Sequence, residues 1–167
     1  MIVTLTEIEM FLNTLEATPR RLKSASDGIE NSLLHFSPDK KTWSANDILA
    51  HLRACADVWG GSMAQMMAQD HPTLRYVSPR TWIRKTNYPT LEFHSSLLVF
   101  TAQRETLIQS LKTLSIADWS RGAAFTGTTL GREETVFRYA RRMALHELTH
   151  CEQIEALLNL NNVISRL

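Results

Sequence analysis

The stretch "ALHELTHCEQ", residues 144–153, places two histidines four residues apart with a glutamate between them. On a helix His146 and His150 share one face, a turn apart. Two imidazoles at that spacing can grip one divalent ion, and nitrogen donors suit Zn, Ni, Cu or Fe. The same letters satisfy H-E-x-x-H, the signature of a zinc peptidase helix. That reading needs more than five residues. The metzincin pattern asks for a Gly and a third His at offsets where this chain has Gln153 and Ala156. Other peptidases of this kind bring a downstream acidic ligand from a second helix, but only 17 of the 167 residues follow His150. Glu152 and Glu155 lie on the same helix as the histidines and cannot fold back to them. Glu147 sits about 100° round the helix from His146, facing a neighbouring helix or solvent rather than a metal by necessity.

Two ligands rarely hold a metal, so a third must come from elsewhere. His51, in "ILAHLRACA", precedes the apolar Leu52 by one position and lies at the edge of a core-facing stripe. Facing helices of a bundle commonly supply inward ligands to one site. His51 with His146 and His150 would make a three-nitrogen site with one position open, the catalytic rather than the structural pattern. The plainer alternative for a single histidine at a helix edge is a solvated or hydrogen-bonded side chain. His35, His71 and His94 fall near loops or helix starts and read as structural or surface residues. Cys55 shares the face of His51 and could approach a metal, or serve as a small buried hydrophobe. Cys151 follows a ligand by one residue and points away. Arg138, Arg141 and Arg142 form either a solvated helix face or a seat for a substrate carboxylate.

Four helices are needed to position these groups. Leu5, Ile8, Leu12 and Leu15 recur at helical spacing, and Thr18-Pro19 predicts a kink within a first helix reaching about Ala25. Ser44-Ala-Asn-Asp47 has the form of a capping box. It opens a second helix with Ile48, Leu52, Cys55, Val58 and Trp59 inward, to about Gln69. Residues 70–90 contain three prolines and little periodicity, which predicts a long crossover with a short helical turn. Thr90 is expected to cap a third helix carrying Phe93, Leu97, Phe100, Leu107 and Leu111. Residues 115–131 read as loop, or as a short hairpin at "AFTGTTL". A fourth helix is expected from about Glu133 to Leu160, with Phe137, Ala140, Ala144, Leu148, Ile154, Leu157 and Leu158 inward. Trp43 and Trp59, at the two ends of the second helix's apolar stripe, read as core packing. The pattern predicts an all-α four-helix bundle, one domain over residues 1–167.

Composition narrows the function classes. Eighteen Lys and Arg against 17 Asp and Glu leave a net charge of +1, which supplies no footprint for nucleic acid or an anionic membrane. No apolar run approaches the roughly 18 residues of a membrane span. The opening "MIVTLTEIEMFL" has no basic n-region or small-residue cleavage site, and the two cysteines form no C-x-x-C pair. A reduced, cytoplasmic setting with a small-molecule substrate is the expectation.

"WSANDILAHLRACADVW", residues 43–59, resembles the Trp-Ser…His-Leu segment of the DinB-like (YfiT-like) four-helix bundle family. "ALHELTHCEQI" is similar to that family's closing His-x-x-x-His-x-x-Gln segment, and "FTGTTLGREETVFRYARRM" to its Gly-bearing turn before the last helix. The resemblance implies a divalent metal, with Zn or Ni foremost, held by His51, His146 and His150, with Gln153 in a supporting role. Cys151 stands where many members carry an arginine. The family's enzymes imply a metal-dependent S-transferase joining a low-molecular-weight thiol to an electrophile, or a small-molecule hydrolase. Other members imply a metal-binding or stress-related protein without turnover, and many imply a homodimer.

Overall fold

The computed structural model describes residues 3–37, 39, 41–127 and 132–164. Four long helical stretches form a bundle, as the periodicity predicts. Helix α1, Leu5–Ser26, is capped by the Thr4 hydroxyl and runs through Pro19 as one helix. The hydroxyl of Thr18 donates to the Thr14 carbonyl beside that proline. A short helix α2, Asn31–Leu34, follows.

The capping box of Ser44 and Asp47 is present. Ser44 Oγ accepts from the Asp47 amide, and the Asp47 carboxylate accepts from the Ser44 amide. It starts α3, Ala45–Cys55, which passes through one π-helical turn, Ala56–Gly60, into α4, Gly61–Ala68. Ten of the eleven α3 residues are buried, so this helix lies inside the bundle and its polar members need partners.

The crossover does contain the expected helical turn, α5, Pro79–Trp82. It also contains a three-residue strand, β1, Thr73–Arg75. Helix α6, Phe93–Lys112, follows, and its cap is Glu92 rather than Thr90: the Glu92 carboxylate accepts from the amides of His94 and Ser95. Thr90 is held in a 3₁₀ turn, where its hydroxyl donates to the Asn87 carbonyl. A carboxylate at the positive end of a helix serves the free amides at least as well as a hydroxyl.

The suspected hairpin exists. Strands β2, Gly122–Thr126, and β3, Arg132–Thr135, pair antiparallel, while Thr128–Leu130 of the predicted stretch and Gly131 lie outside the described residues. β1 pairs parallel with β2, with Leu74 opposite Phe125. Helix α7, Val136–Ile164, therefore starts three residues later than expected, because Glu133 and Glu134 belong to the sheet. The Thr135 hydroxyl accepts from the Arg138 amide and caps the start.

Two apolar clusters fill the interior. One joins α1, α4, α6, the sheet and the start of α7 around Phe11, Leu15, Met63, Trp119 and Phe137. The other joins α3, α6 and the end of α7 around Leu49, Leu52, Phe100 and Ile154. Between α6 and α7 lies a buried ion pair, Arg104 to Glu147, with both side chains almost wholly out of water. Arg104 also donates to Met143 Sδ at 2.8 Å. Glu147 thus faces a neighbouring helix, one of the two placements the sequence allowed.

Removing one member of such a pair leaves an uncompensated buried charge. Arg104→Met should therefore cost about 3–5 kcal/mol in chemical denaturation. Adding Glu147→Leu should return most of that loss, since an apolar pair of similar volume is commonly neutral. A double variant no more stable than Arg104→Met would show that the loss has another origin.

Candidate metal centre

Helix α3 carries His51 on its inner surface, and α7 carries His146 and His150 on the surface facing α3. The ring centroids of His51 and His146 are 5.1 Å apart, those of His51 and His150 5.3 Å, and those of His146 and His150 4.4 Å. All three histidines singled out from the sequence are brought together. Their approach is led by nitrogen: His51 Nε2 lies 3.2 Å from His146 Nε2. The tightest group of donor atoms joins His51, Cys55 and His146, all within 4.8 Å of one another. His150 stands beside this group on its outer side.

The orientation of His150 is settled by Gln153, one turn on. Its Nδ1 is 3.0 Å from Gln153 Oε1. An amide oxygen only accepts, so Nδ1 carries the proton and Nε2 keeps its lone pair. The supporting role implied for Gln153 therefore has a concrete contact. By contrast, Nδ1 of His51 and Nδ1 of His146 are buried without a hydrogen-bond partner. Buried imidazoles left short of partners are costly, and such groups concentrate where function demands them. A divalent cation fits this donor set, since it would engage the clustered lone pairs that otherwise meet only each other.

Two tryptophans wall the site. Trp43 lies over the histidines, its ring centroid 5.2 Å from that of His51 and stacked 6.3 Å from that of His150. Trp59 closes the inner side, edge-on to His146 at 5.0 Å. Read along the chain they look like core packing. Their contact with the histidines depends on how α3 and α7 meet, which no local spacing reports.

The dry setting governs protonation. Burial, with added repulsion from His150, lowers the His51 pKa to about 4 and that of His146 to about 3. Burial lowers His150 too, while its bond to Gln153 pulls the other way. All three imidazoles are neutral at pH 7, the state a metal ligand requires.

A cavity of about 740 Å³ opens onto the site, lined by Trp43, His51, His150, Gln153, Ile83 and a basic rim of Lys41, Arg80 and Arg84. Among the described residues no acidic side chain lines it. Arg80 is near enough to both His51 and His150 for its charge to disfavour their protonation, and its guanidinium lies 5.9 Å over the Trp43 ring.

The crossover holds this rim in place through Asp57, in the π-helical turn. Its carboxylate accepts from Trp82 Nε1 at 2.9 Å, the Tyr88 hydroxyl at 2.7 Å and Gln103 Nε2 at 2.7 Å. Arg53 stacks on Tyr88 at 3.9 Å, and Asn46 donates to the Pro89 carbonyl at 2.9 Å.

Other residues singled out earlier lie elsewhere. Arg138 and Arg142 pair with the buried Glu134, at 3.3 and 2.6 Å, and with Arg141 they line a separate surface hollow that does not include the histidines. Cys151 points toward α1, its sulfur 4.0 Å from the Thr18 carbonyl, and burial raises its pKa to about 12. Glu147, committed to Arg104, is not among the residues lining the cavity.

The sequence profile of the DinB superfamily matches residues 14–154, and the chain belongs to that superfamily. No curated protein matches the chain. Among solved structures it is similar to YfiT from Bacillus subtilis, described as "a probable metal-dependent hydrolase with an unusual four-helix bundle topology". The TM-score is 0.82 at 18% identity, covering 96% of this chain and 90% of that one. At that identity the likeness establishes the fold.

The lowered histidine pKa values predict how the metal-free protein responds to acid. Above about pH 6.5 the imidazoles are neutral in both the folded and unfolded states. As pH falls, the unfolded chain takes up protons that the folded protein refuses until about 4 at His51 and about 3 at His146. Folding stability should thus decline across that window. Thermal melts of metal-free protein against pH should show a shallower decline for His146→Gln than for the wild type. Parallel curves would contradict this account.

Proposed function

We propose that this member of the DinB superfamily is a metal-dependent enzyme acting on a small molecule, with the ion held by His51, His146 and His150. The observation that carries the reading is the convergence of three neutral imidazoles from α3 and α7, two of which, His51 and His150, line a cavity open to solvent. A divalent ion, Zn or Ni foremost, supplies Lewis acidity that lowers the pKa of a thiol or water at neutral pH. The protein's own part is spatial. Trp43 and Trp59 exclude water from the imidazoles, Gln153 fixes the His150 tautomer, and the Asp57 clamp holds the crossover against the mouth.

The reaction class is attack by a low-molecular-weight thiol or by water on a small electrophile. The description of YfiT as a hydrolase supports the water branch, and the sequence resemblance supports the thiol branch. Three cations at the rim, with no carboxylate among the described lining residues, favour a substrate or co-substrate bearing an anionic group. Arg80 is the best placed to bind it, because its charge acts on His51 and His150 and its guanidinium lies over the Trp43 ring. The reading places the chain in the cytoplasm. No helix among the described residues is long and apolar enough to cross a membrane.

A second reading is favoured by one observation. Cys55 contributes a buried thiol to the same donor group, and a fourth protein ligand suits a protein that holds metal without turnover.

Elemental analysis of protein purified without a polyhistidine tag tests the site. The wild type should carry near-stoichiometric divalent metal, and His146→Ala should carry almost none. A metal-free wild type that takes up neither Zn nor Ni would end the enzyme reading. For substrate recognition, Arg80→Ala should weaken binding of an anionic ligand about tenfold, the loss of one charge-assisted hydrogen bond at a solvated mouth. The same variant should bind the neutral ester of that ligand as the wild type does. Equal losses for both ligands would show that Arg80 acts through packing.

A further inference from the structure

The two helices that meet at the centre present matching pairs. On α7, His150 follows His146 by one turn, and on α3 Cys55 follows His51 by one turn. Each pair therefore offers two donors on one face. The Cys55 sulfur is fully buried and lies 3.6 Å from His51 Nε2, which in turn lies 3.2 Å from His146 Nε2. These spacings have a meaning in coordination chemistry. Nitrogen at about 2.05 Å and sulfur at about 2.3 Å from a tetrahedral zinc put neighbouring nitrogens about 3.3 Å apart and nitrogen and sulfur about 3.6 Å apart. Both observed distances match tetrahedron edges and are equally hydrogen-bond spacings.

We propose that Cys55 is itself a metal ligand, joining His51 and His146 in the donor group whose atoms lie within 4.8 Å of one another, with His150 beside it on the cavity side. The inference rests on the metal-binding reading above, adds one sulfur to its nitrogen donors, and favours the second reading, a metal held without turnover, over the first. A small buried hydrophobe would explain the burial of Cys55. It would not explain why the sulfur is directed at an imidazole nitrogen at ligand spacing. On coordination the thiol S–H bond breaks, a sulfur–metal bond forms, and the proton leaves to solvent. Sulfur enters from the buried side, whereas His51 and His150 line the cavity. A thiolate also shifts selectivity toward Zn and similar borderline ions and away from Mg or Mn.

Cobalt(II) reports both halves of this claim. Metal-free wild type titrated with Co²⁺ should develop visible ligand-field bands together with an intense near-ultraviolet thiolate-to-cobalt charge-transfer band. Cys55→Ser should keep the visible bands, lose the near-ultraviolet band and bind at least about tenfold more weakly, since even outer contacts to a ligand are worth that much. Cys151→Ser, altered on the α1 side of α7, should keep both. Visible bands without charge transfer in the wild type would overturn sulfur ligation and leave the histidine site standing. So would a charge-transfer band that disappears with Cys151 instead. No cobalt binding of any kind would overturn the metal reading and this inference together. The wild-type spectrum decides the question even if Cys55→Ser folds poorly.

Discussion

Helix α7 has to satisfy two demands at adjacent positions. His146 must face α3, and Glu147, about 100° further round, must find a partner for a carboxylate that has no access to water. Arg104 on α6 meets that second demand. The pair is worth little as net stabilisation, but it fixes the rotation of α7 about its own axis. A turn of the helix that broke the pair would strand a charge in the core and also swing both histidines out of the site. The centre depends on this contact more than on any interaction of the imidazoles themselves.

Helix α3 is held in phase by a different means. Its start is set by the Ser44–Asp47 capping box, and almost all of its surface is buried, so little rotation is open to it. Downstream, the π-helical turn places Asp57 where it gathers Trp82, Tyr88 and Gln103. Such turns often occur beside functional sites. Here the turn connects the ligand-bearing helix to the crossover that carries Arg80 and Arg84. His51 and the basic rim are thereby anchored to one helix, and a strain at either is felt at the other.

The electrostatics of the two ends of α7 are handled separately. At its start, buried Glu134 collects Arg138 and Arg142, which removes those arginines from any role at the cavity. At its middle, three imidazoles are kept neutral by burial. Lys41, Arg80 and Arg84 stand at the mouth, where an incoming anion would meet them first. This separation explains how a chain of nearly balanced charge presents a cavity of one sign.

Much of this was legible along the chain. His51, His146, His150 and Gln153 stood out because ligation by helices has a local period, and the capping box, the four apolar stripes and the hairpin are likewise local patterns. What escaped was set by contacts distant in sequence. β1 is three residues long, and its partner lies some fifty residues away, so no alternation announces it. The start of α7 moved because Glu133 and Glu134 were claimed by the sheet. Glu92 displaced Thr90 as a cap because the chain before α6 is held in a turn. Trp43 and Trp59 gained their roles only when α3 met α7, and Arg80 and Asp57 only when the crossover packed against α3. By itself the sequence determined which side chains share a helix face, because that follows from 3.6 residues per turn. Which faces meet, and hence that Cys55 lies at ligand distance from two histidines while three arginines of α7 do not face the cavity, was decided by packing. Burial and charge pairing between remote elements are properties of the whole chain, not of any segment.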